Sequence, residues 1–329
     1  NEGIRAELPD MFAQGISSFK MYLTYPAMMI GDRDVYWALK ELRTLGGIAG
    51  FHCENAGVID GMIAERKAAG ELGPASHPLT RPPYLEAEAV SRLLRIAQAA
   101  DCPVVIVHLT NREALREVAA ARKRGQKVYV ETCPQYLLLD ESVYFNEDYS
   151  SAARYVCAPP IREKAEQEQL WKALRRGEIQ TISTDHCSFT LAQKDMGRED
   201  FTKIPGGLPG VETRGELIFS YGVAKRRISA AKMCQLLSEN PAKLYGLFPR
   251  KGVLRQGADA DIVVYDPGAS HVIRAEDCVA NVDYNPYEGF VTAGGIRQVW
   301  LRGRLSVEDG KVLAQEPAGK YMVRGKNSL

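Results

Sequence analysis

Short apolar runs and longer amphipathic segments alternate along the first 190 residues of the chain. The short runs predict β-strands, and the segments with apolar residues at helical spacing predict helices that cover a sheet. Such helices are predicted at residues 34–45, 85–100, 112–124 and 163–176. The predicted strands are GISSFKMYL, GIAGFHCE, PVVIVHLT, QKVYVETCP, RYVCAPP and QTISTDHC. This alternation is typical of βα units around a parallel sheet.

Each predicted strand ends with a polar or ionisable residue. In chain order these residues are Lys20, His52, His108, Glu131, Cys157 and Asp185. The carboxyl ends of the strands of a (β/α) barrel converge on one mouth, where active sites lie. A doubly wound sheet would also alternate, but no glycine-rich phosphate loop follows any of these strands. The pattern therefore favours an α/β fold of the TIM-type (β/α) barrel class, with residues 1–246 in the barrel domain.

The pattern changes after residue 246 to short strands separated by Gly, Asp-Gly and Asp-Pro turns, in segments such as HVIRAED and GGIRQVWLRGRLSVEDGKVL. This predicts a small antiparallel β unit over residues 247–316, packed beside the barrel. Residues 317–329 form a polar, basic tail with two alternatives open: it frays, or it packs as an arm on a neighbouring subunit.

Composition excludes several classes of protein. The chain is 45% hydrophobic and 25% charged, with a net charge of +1, so nothing electrostatic suggests a nucleic-acid partner. No apolar stretch is long enough to span a bilayer, and NEGIRAELPD has no signal-peptide core. Seven scattered cysteines without a CxxC pair argue against a disulfide framework and a thiolate zinc knuckle. We expect a cytoplasmic protein without nucleic-acid or membrane partners.

Two of the five histidines, His52 and His108, come at strand ends, where a neutral imidazole could ligate a metal. A single histidine in such a position is more often structural. Two of them, joined by Asp185, indicate a metal site assembled from several strands. His186 is a weaker candidate because its side chain alternates away from that of Asp185.

Lys20 ends an apolar strand, and this position would place its ammonium group in the barrel interior, where desolvation penalises the charge. One hypothesis is a lysine paired with a buried acid. The other is a neutral amine that reacts with carbon dioxide, so that the carbamate oxygens bridge two divalent cations. The residues alone leave both open.

Seven motifs in this order resemble those of the dihydropyrimidinases and hydantoinases of the amidohydrolase superfamily, over essentially the whole chain. They are FKMYLTY, FHCEN, VHLT, ETCPQYLLLDE, CAPPIR, STDHCSF and DYNPYEGF. The resemblance implies a (β/α)8 barrel with a small β-sandwich, and two divalent metal ions, most commonly Zn²⁺. It also implies N6-carboxylysine at Lys20 as the bridging ligand, His52 and His108 on the second metal, Asp185 on the first, and a homotetramer.

The activity implied by the resemblance is metal-dependent hydrolysis of a small cyclic amide. A metal-bridging hydroxide opens a dihydropyrimidine or 5-substituted hydantoin ring to an N-carbamoyl amino acid, with Asp185 as general base and then acid. Tyr25 is similar to the tyrosine that donates to the oxyanion, although loop packing is an alternative role. Main-chain groups of Ala158 and Gly206, which stand where the family has serine and asparagine, would read the ring edge. These departures leave the exact ring open.

The family also carries an HxH motif on its first barrel strand, and this sequence contains none. By the same comparison Lys20 belongs to the fourth strand, so we expect three barrel strands to precede Asn1. Two other functions stay open: a non-catalytic scaffold related to dihydropyrimidinase, and another cyclic-ureide hydrolase such as an allantoinase or dihydroorotase. Scaffold relatives typically lose metal ligands, which are kept here, and DYNPYEGF favours the hydantoinase branch over the others.

Overall fold

A parallel sheet forms the first part of the fold. The computed structural model describes residues 2–313 and 316–329. Within them, five parallel strands pair in the order of the sequence. They are β1 (Ser18–Tyr22), β2 (Ile48–His52), β3 (Val104–Ile106), β4 (Val128–Thr132) and β5 (Thr181–Ile182). Sequential pairing of parallel strands joined by helices is the arrangement of a (β/α) barrel wall.

Helices connect and cover these strands. The α-helices are α1 (Glu2–Ala13), α2 (Asp32–Leu45), α3 (Ala56–Ala68), α4 (Ser76–Leu79), α5 (Pro83–Ala100), α6 (Arg112–Lys123), α7 (Pro134–Leu138), α8 (Tyr149–Ala153), α9 (Lys164–Arg176), α10 (Leu191–Lys194), α11 (Arg214–Ile218), α12 (Ala230–Cys234) and α13 (Asn240–Leu244). Short 3₁₀ segments lie at Glu141–Tyr144, Asp195–Gly197, Phe201–Lys203 and Ala275–Asp277, and π-helical turns at Phe219–Ala224 and Gln235–Glu239.

The four helices predicted from amphipathic spacing all form, as α2, α5, α6 and α9, with ends that differ by at most two residues from prediction. Their ends carry the expected signals. The Asn111 side chain caps the first turn of α6 by accepting from the backbone N–H of Ala114, and Gly46 ends α2 in the left-handed conformation. The predicted periodicity is thus confirmed by the burial of one face of each helix.

The two faces of the parallel sheet bury separate groups of side chains. Phe51, Ile106 and Val130 face the helices in the main core. Ile48, Val105 and Tyr129 alternate with them and face the barrel interior, where they pack with Leu244 and Leu329. The alternation fixes which strand residues point toward the interior of the barrel.

One strand prediction is wrong. RYVCAPP forms turns and bends rather than a strand, because Pro159 and Pro160 have no backbone N–H to donate to a ladder. The segment is held instead by side chains from elsewhere in the chain. Cys157 therefore does not end a barrel strand, although it is buried.

A separate antiparallel sheet follows, in the order β6 (Ile262–Asp266), β7 (Gly295–Leu301), β8 (Arg304–Glu308) and β9 (Lys311–Val312). Asp309-Gly310 forms the two-residue turn between β8 and β9 with φ of 47° and 75°, as Asp-Gly between strands predicts. HVIRAED is not a strand of this sheet. It contributes only an isolated bridge between Val272 and Val291.

The C-terminal tail lies against its own chain. The hydroxyl of Tyr321 donates to the Gln14 carbonyl at 2.8 Å, and Arg324 Nη1 donates to Ser18 Oγ at 2.6 Å. The Gly325 backbone N–H donates to the Gly246 carbonyl at 2.9 Å. These contacts tie the tail to Gln14, to the first residue of β1 and to Gly246 just after α13, which favours a packed tail over a frayed one.

In the residues that the structure describes, no helix combines the length and apolarity needed to cross a membrane. All seven cysteines are free thiols in this structure.

Candidate active site

Four of the predicted site residues lie in strands β1 and β2 or just after strands β3 and β5. Lys20 lies within β1, His52 is the last residue of β2, and Asp185 follows β5 by three residues. His108 follows β3 by two residues. The strands converge at this end, so the fold brings together residues that are far apart in the sequence.

His52 and His108 are in direct contact. Their ring centroids are 4.6 Å apart and the planes are inclined by 69°. Strand alternation from Val105 and Val107, which face the barrel interior, would point His108 toward the helices. His108 instead has a left-handed backbone with φ of 41°, which breaks the alternation and brings its ring to His52.

His52 is oriented by a buried carboxylate. Its Nε2 lies 2.7 Å from Glu54 Oε2, and Arg81 Nη1 donates to the same oxygen at 2.7 Å. Burial alone would raise the pKa of Glu54, but Arg81 and the hydrogen bond from His52 hold it below its ordinary value. The carboxylate accepts the Nε2 proton, so Nδ1 is the nitrogen of His52 left for a ligand.

His108 has no hydrogen-bond partner for either ring nitrogen within the residues described. Both atoms are buried, and burial together with the charges of His52 and Lys20 lowers the pKa of His108 well below its ordinary value. A buried polar group without a partner is costly unless something else satisfies it. A neutral imidazole with free nitrogens, beside a second imidazole held by a carboxylate, fits a divalent metal ion of the zinc type.

Lys20 is exposed, so the expectation that the barrel interior would desolvate its ammonium group is wrong for the described chain. The reason is its strand: β1 is the edge of the sheet, and only β2 pairs with it in the part described. The Lys20 Nζ atom lies 5.2 Å from the centroid of the Tyr22 ring. Both residues line a cavity of about 760 Å³ along β1, to which Arg33 and Trp37 also contribute.

Asp185 is exposed and also has a left-handed backbone, with φ of 47°. Its charge acts on the groups around it and contributes, after burial, to the raised pKa values of Tyr22 and Glu131. The charge of Lys20 acts on Glu131 as well.

Tyr25 lies beside the histidine pair. Its ring centroid is 4.9 Å from that of His52 and 6.0 Å from that of Tyr22. Burial, and then the charge of Glu54, raise the pKa of Tyr25 far above its ordinary value. The hydroxyl group therefore stays protonated and can donate a hydrogen bond at any pH near neutrality. A φ of 67° at Tyr25 turns the chain at this point.

Ala158 and Gly206 occupy two loop segments whose other carbonyls are already bonded. His77 Nε2 lies 2.8 Å from the Cys157 carbonyl, and the Tyr136 hydroxyl donates to the Pro159 carbonyl at 2.9 Å. In the described part of the chain, no hydrogen bond uses the backbone groups of Ala158 or Gly206. Gly206 is exposed, with open space where a side chain would be, so both residues can pair with a ligand.

Within residues 2–313 and 316–329, no three His, Cys, Asp or Glu side chains are close enough to form a metal site by themselves. The structure brings together the two histidines, with Tyr25 against His52. Sequence reasoning missed Glu54 and Arg81. Glu54 could have been found, because it follows His52 by two residues in FHCEN, whereas nothing in the sequence marks Arg81.

Comparison with known proteins identifies the family of the chain. The sequence profile of the amidohydrolase family matches residues 48–306. The D-hydantoinase of Geobacillus stearothermophilus is 41% identical over 328 residues, which cover 99% of this chain and 69% of the relative. A D-phenylhydantoinase of Escherichia coli O127:H6 is 42% identical over 326 residues, covering 98% of this chain and 70% of the relative.

Solved structures of hydantoinases and a dihydropyrimidinase are also similar to this chain. A crystal structure of D-hydantoinase superposes with a TM-score of 0.97 at 40% identity, over 100% of this chain and 72% of that one. The dihydropyrimidinase of Brevibacillus agri superposes with a TM-score of 0.97 at 39% identity, over 99% and 71% of the two chains.

The chain therefore belongs to the amidohydrolase family, in its hydantoinase and dihydropyrimidinase branch. The likeness extends over the whole described fold, so the predicted (β/α)-barrel class with its small antiparallel β unit is confirmed.

Proposed function

We propose that this chain hydrolyses a cyclic amide bond, opening a hydantoin or dihydropyrimidine ring to an N-carbamoyl amino acid. The observation that carries the proposal is the His52–His108 contact, in which His108 is buried with both nitrogens unpaired in the described structure. A scaffold protein would gain stability by replacing such a residue. Its presence in a chain 41% identical to a D-hydantoinase supports a catalytic role.

The metal ligands proposed are His108, His52 through Nδ1, Asp185, and Lys20 as N6-carboxylysine. Two divalent ions, most commonly Zn²⁺, would supply a water of lowered pKa and polarise the ring carbonyl. Carboxylation gives Lys20 the two oxygens that a bridging ligand needs.

The protein groups act around the scissile bond. Asp185 would accept the proton of the attacking water and return it to the leaving amide nitrogen, as general base and then acid. The Tyr25 hydroxyl, which stays protonated, would donate to the oxygen that becomes negative as the carbonyl is attacked. Unpaired main-chain groups of Ala158 and Gly206 would bind the amide edge of the ring.

Other cyclic ureides remain as a second candidate substrate class. Gly206 presents no side chain to a bound ring, so the site selects through backbone geometry rather than through side-chain identity. Allantoin hydrolysis is therefore an outcome that the assay must include. We also propose that the protein is a homotetramer and that it is cytoplasmic. The seven free thiols support the second proposal, because thiols stay reduced in the cytoplasm.

The deciding experiment measures metal content of the full-length protein by elemental analysis, together with ring opening of hydantoin, dihydrouracil and allantoin. We expect about two ions per chain and turnover of the first two rings. Lys20→Ala should lose both metal and turnover, and short carboxylates should restore part of each. Asp185→Asn should retain more metal than Lys20→Ala but turn over slowly. Protein with neither metal nor turnover of any ring would support the scaffold alternative instead.

A further inference from the structure

Lys194, the last residue of α10, is a buried lysine outside the residues proposed for the chemistry. It is only 1% exposed. Its Nζ donates to three main-chain carbonyls: Val156 at 2.8 Å, Pro205 at 2.6 Å and Gly207 at 2.8 Å. No carboxylate pairs with it in the part of the chain that the structure describes. A buried charge is costly, and this ammonium group is satisfied by the three carbonyls and by the ring of Phe189, whose centroid lies 5.8 Å from Nζ.

The three carbonyls belong to the two segments that carry Ala158 and Gly206. Pro205 and Gly207 are the immediate neighbours of Gly206, and Val156 precedes Ala158 by two residues. The Gly207 N–H also donates to the Val156 carbonyl at 3.0 Å, so the segments are joined directly as well. Lys194 thus binds the carbonyls of Val156, Pro205 and Gly207, whereas the backbone groups of Ala158 and Gly206 have no hydrogen-bond partner in the described residues.

The geometry suits lysine in particular. A compact ammonium group with three donors can bind three oxygens that converge on one point, which a planar guanidinium cannot do. Gly207 is also packed closely: a Cβ there would lie 2.4 Å from Cys187 Sγ, and its φ is +147°. The loop around Gly206 is therefore fixed on one side by Lys194 and on the other by Cys187.

We propose that Lys194 is a positioning residue for substrate binding, which sets the separation between the main-chain groups of Ala158 and Gly206. The inference rests on the proposed function, because it assumes that these groups bind the ring amide. Burial lowers the pKa of Lys194 to about 8, so at neutral pH the group is mostly protonated and has its three donors. Lys194 does not touch the substrate and acts through the two backbone segments.

The test compares Lys194→Met, which keeps the length of the side chain without donors, with Lys194→Arg, which keeps the charge. Lys203→Met is the matched control, because Lys203 is an exposed lysine next to the same loop. Each metal-loaded variant is assayed with hydantoin and dihydrouracil for KM and kcat separately, and its metal content and Tm are measured.

We expect KM to rise at least about tenfold in Lys194→Met, the loss that corresponds to one misplaced hydrogen bond, with metal content unchanged. At saturating substrate kcat should stay within about threefold of the parent. Lys194→Arg should also raise KM, and Lys203→Met should change none of these values.

Two results would overturn the assignment. A folded Lys194→Met with a lower Tm but the parent KM would show that the lysine only stabilises the fold. Loss of the fold in both Lys194 variants would likewise make it a core residue. An inactive parent protein would contradict the proposed function and, with it, the role of Lys194. If the parent is active and Lys194→Met has the same KM as the parent, only the role of Lys194 is contradicted.

Discussion

The ring of His108 lies 4.6 Å from that of His52 between centroids, although the two residues end different strands and neither ring nitrogen of His108 has a hydrogen-bond partner in the described structure. Burial, and then the charge of the neighbouring His52, lower the pKa of His108 well below its ordinary value. The contact therefore maintains the neutral form that a metal ligand requires.

Replacing His108 tests its proposed role directly. Asparagine tolerates the left-handed backbone at this position, but its side chain is shorter than that of histidine and has no imidazole nitrogen to bind a metal. In His108→Asn, the amount of metal retained after dialysis should therefore fall. Turnover should fall with it. Elemental analysis and steady-state ring-opening kinetics measure both.

His271→Asn is the control for that change, since His271 is 48% exposed and lies in the second part of the chain. It should keep its metal. Full metal retention in His108→Asn would remove His108 from the ligand set.

Glu54 should control metal affinity through His52. Glu54→Gln keeps an oxygen near Nε2 but removes the charge that pairs with the buried Arg81. We expect the affinity for Zn²⁺ to fall roughly 10- to 100-fold, as for other residues that orient a metal-binding histidine. Competition with a chromogenic chelator measures this value. Glu65→Gln, at an exposed position on α3, should behave as the parent, and an equal affinity in both variants would refute the orienting role.

Tyr25→Phe should lower kcat by roughly 10²- to 10³-fold, the loss typical of one oxyanion donor. Metal content should not change, because the proposed ligands are elsewhere. Steady-state kinetics with hydantoin measure the effect. Tyr84→Phe provides the comparison, since Tyr84 is 55% exposed and is not one of the residues proposed for the site. Unchanged turnover in Tyr25→Phe would leave that side chain with the packing role.

His77 predicts how stability depends on pH. Burial and then Arg81 lower the pKa of His77 to about 3, against an ordinary value of 6.5. Between pH 6.5 and about 3, the unfolded chain therefore binds a proton at His77, whereas the folded chain does not. The contribution of His77 to stability is complete above pH 6.5 and is lost progressively as the pH falls toward 3.

The measurement is the free energy of unfolding between pH 4.5 and about 7.5, for the parent and for His77→Gln. Glutamine can still donate to the Cys157 carbonyl but does not titrate. The free energy of unfolding should rise less steeply with pH in the variant. The difference in slope should correspond to at most about one bound proton. Parallel curves for the two proteins would show that His77 is not excluded from protonation in the folded state.

Much of the fold could be predicted from spacing alone. The helices containing Leu39, Leu93 and Leu174 bury the faces that their sequence periodicity indicates. RYVCAPP was mistaken for a strand because its apolar residues are buried by side-chain contacts rather than by a ladder. The environment of Lys20 could not be predicted either, since exposure depends on which strands pair with β1.

The candidate site was found from residues that end strands, but its geometry was not. Strand alternation would have turned His108 away from His52, and only the left-handed backbone explains their contact. Arg81 and Lys194 act from short helices and loops without periodicity. Their roles depend on three-dimensional contacts to a carboxylate and to carbonyl groups, which no spacing in the sequence expresses.

The left-handed backbone at Tyr25, His108 and Asp185 restricts any attempt to redesign this enzyme by random mutagenesis. β-Branched residues are strained in that conformation, whereas glycine, asparagine and aspartate accept it readily. A library that samples all amino acids at these three positions would therefore contain many variants destabilised by about 1–2 kcal/mol at each strained position. Altered ring preference should be sought instead at neighbours with ordinary φ, such as Ala158, where new side chains can change the pocket without disturbing the chain path.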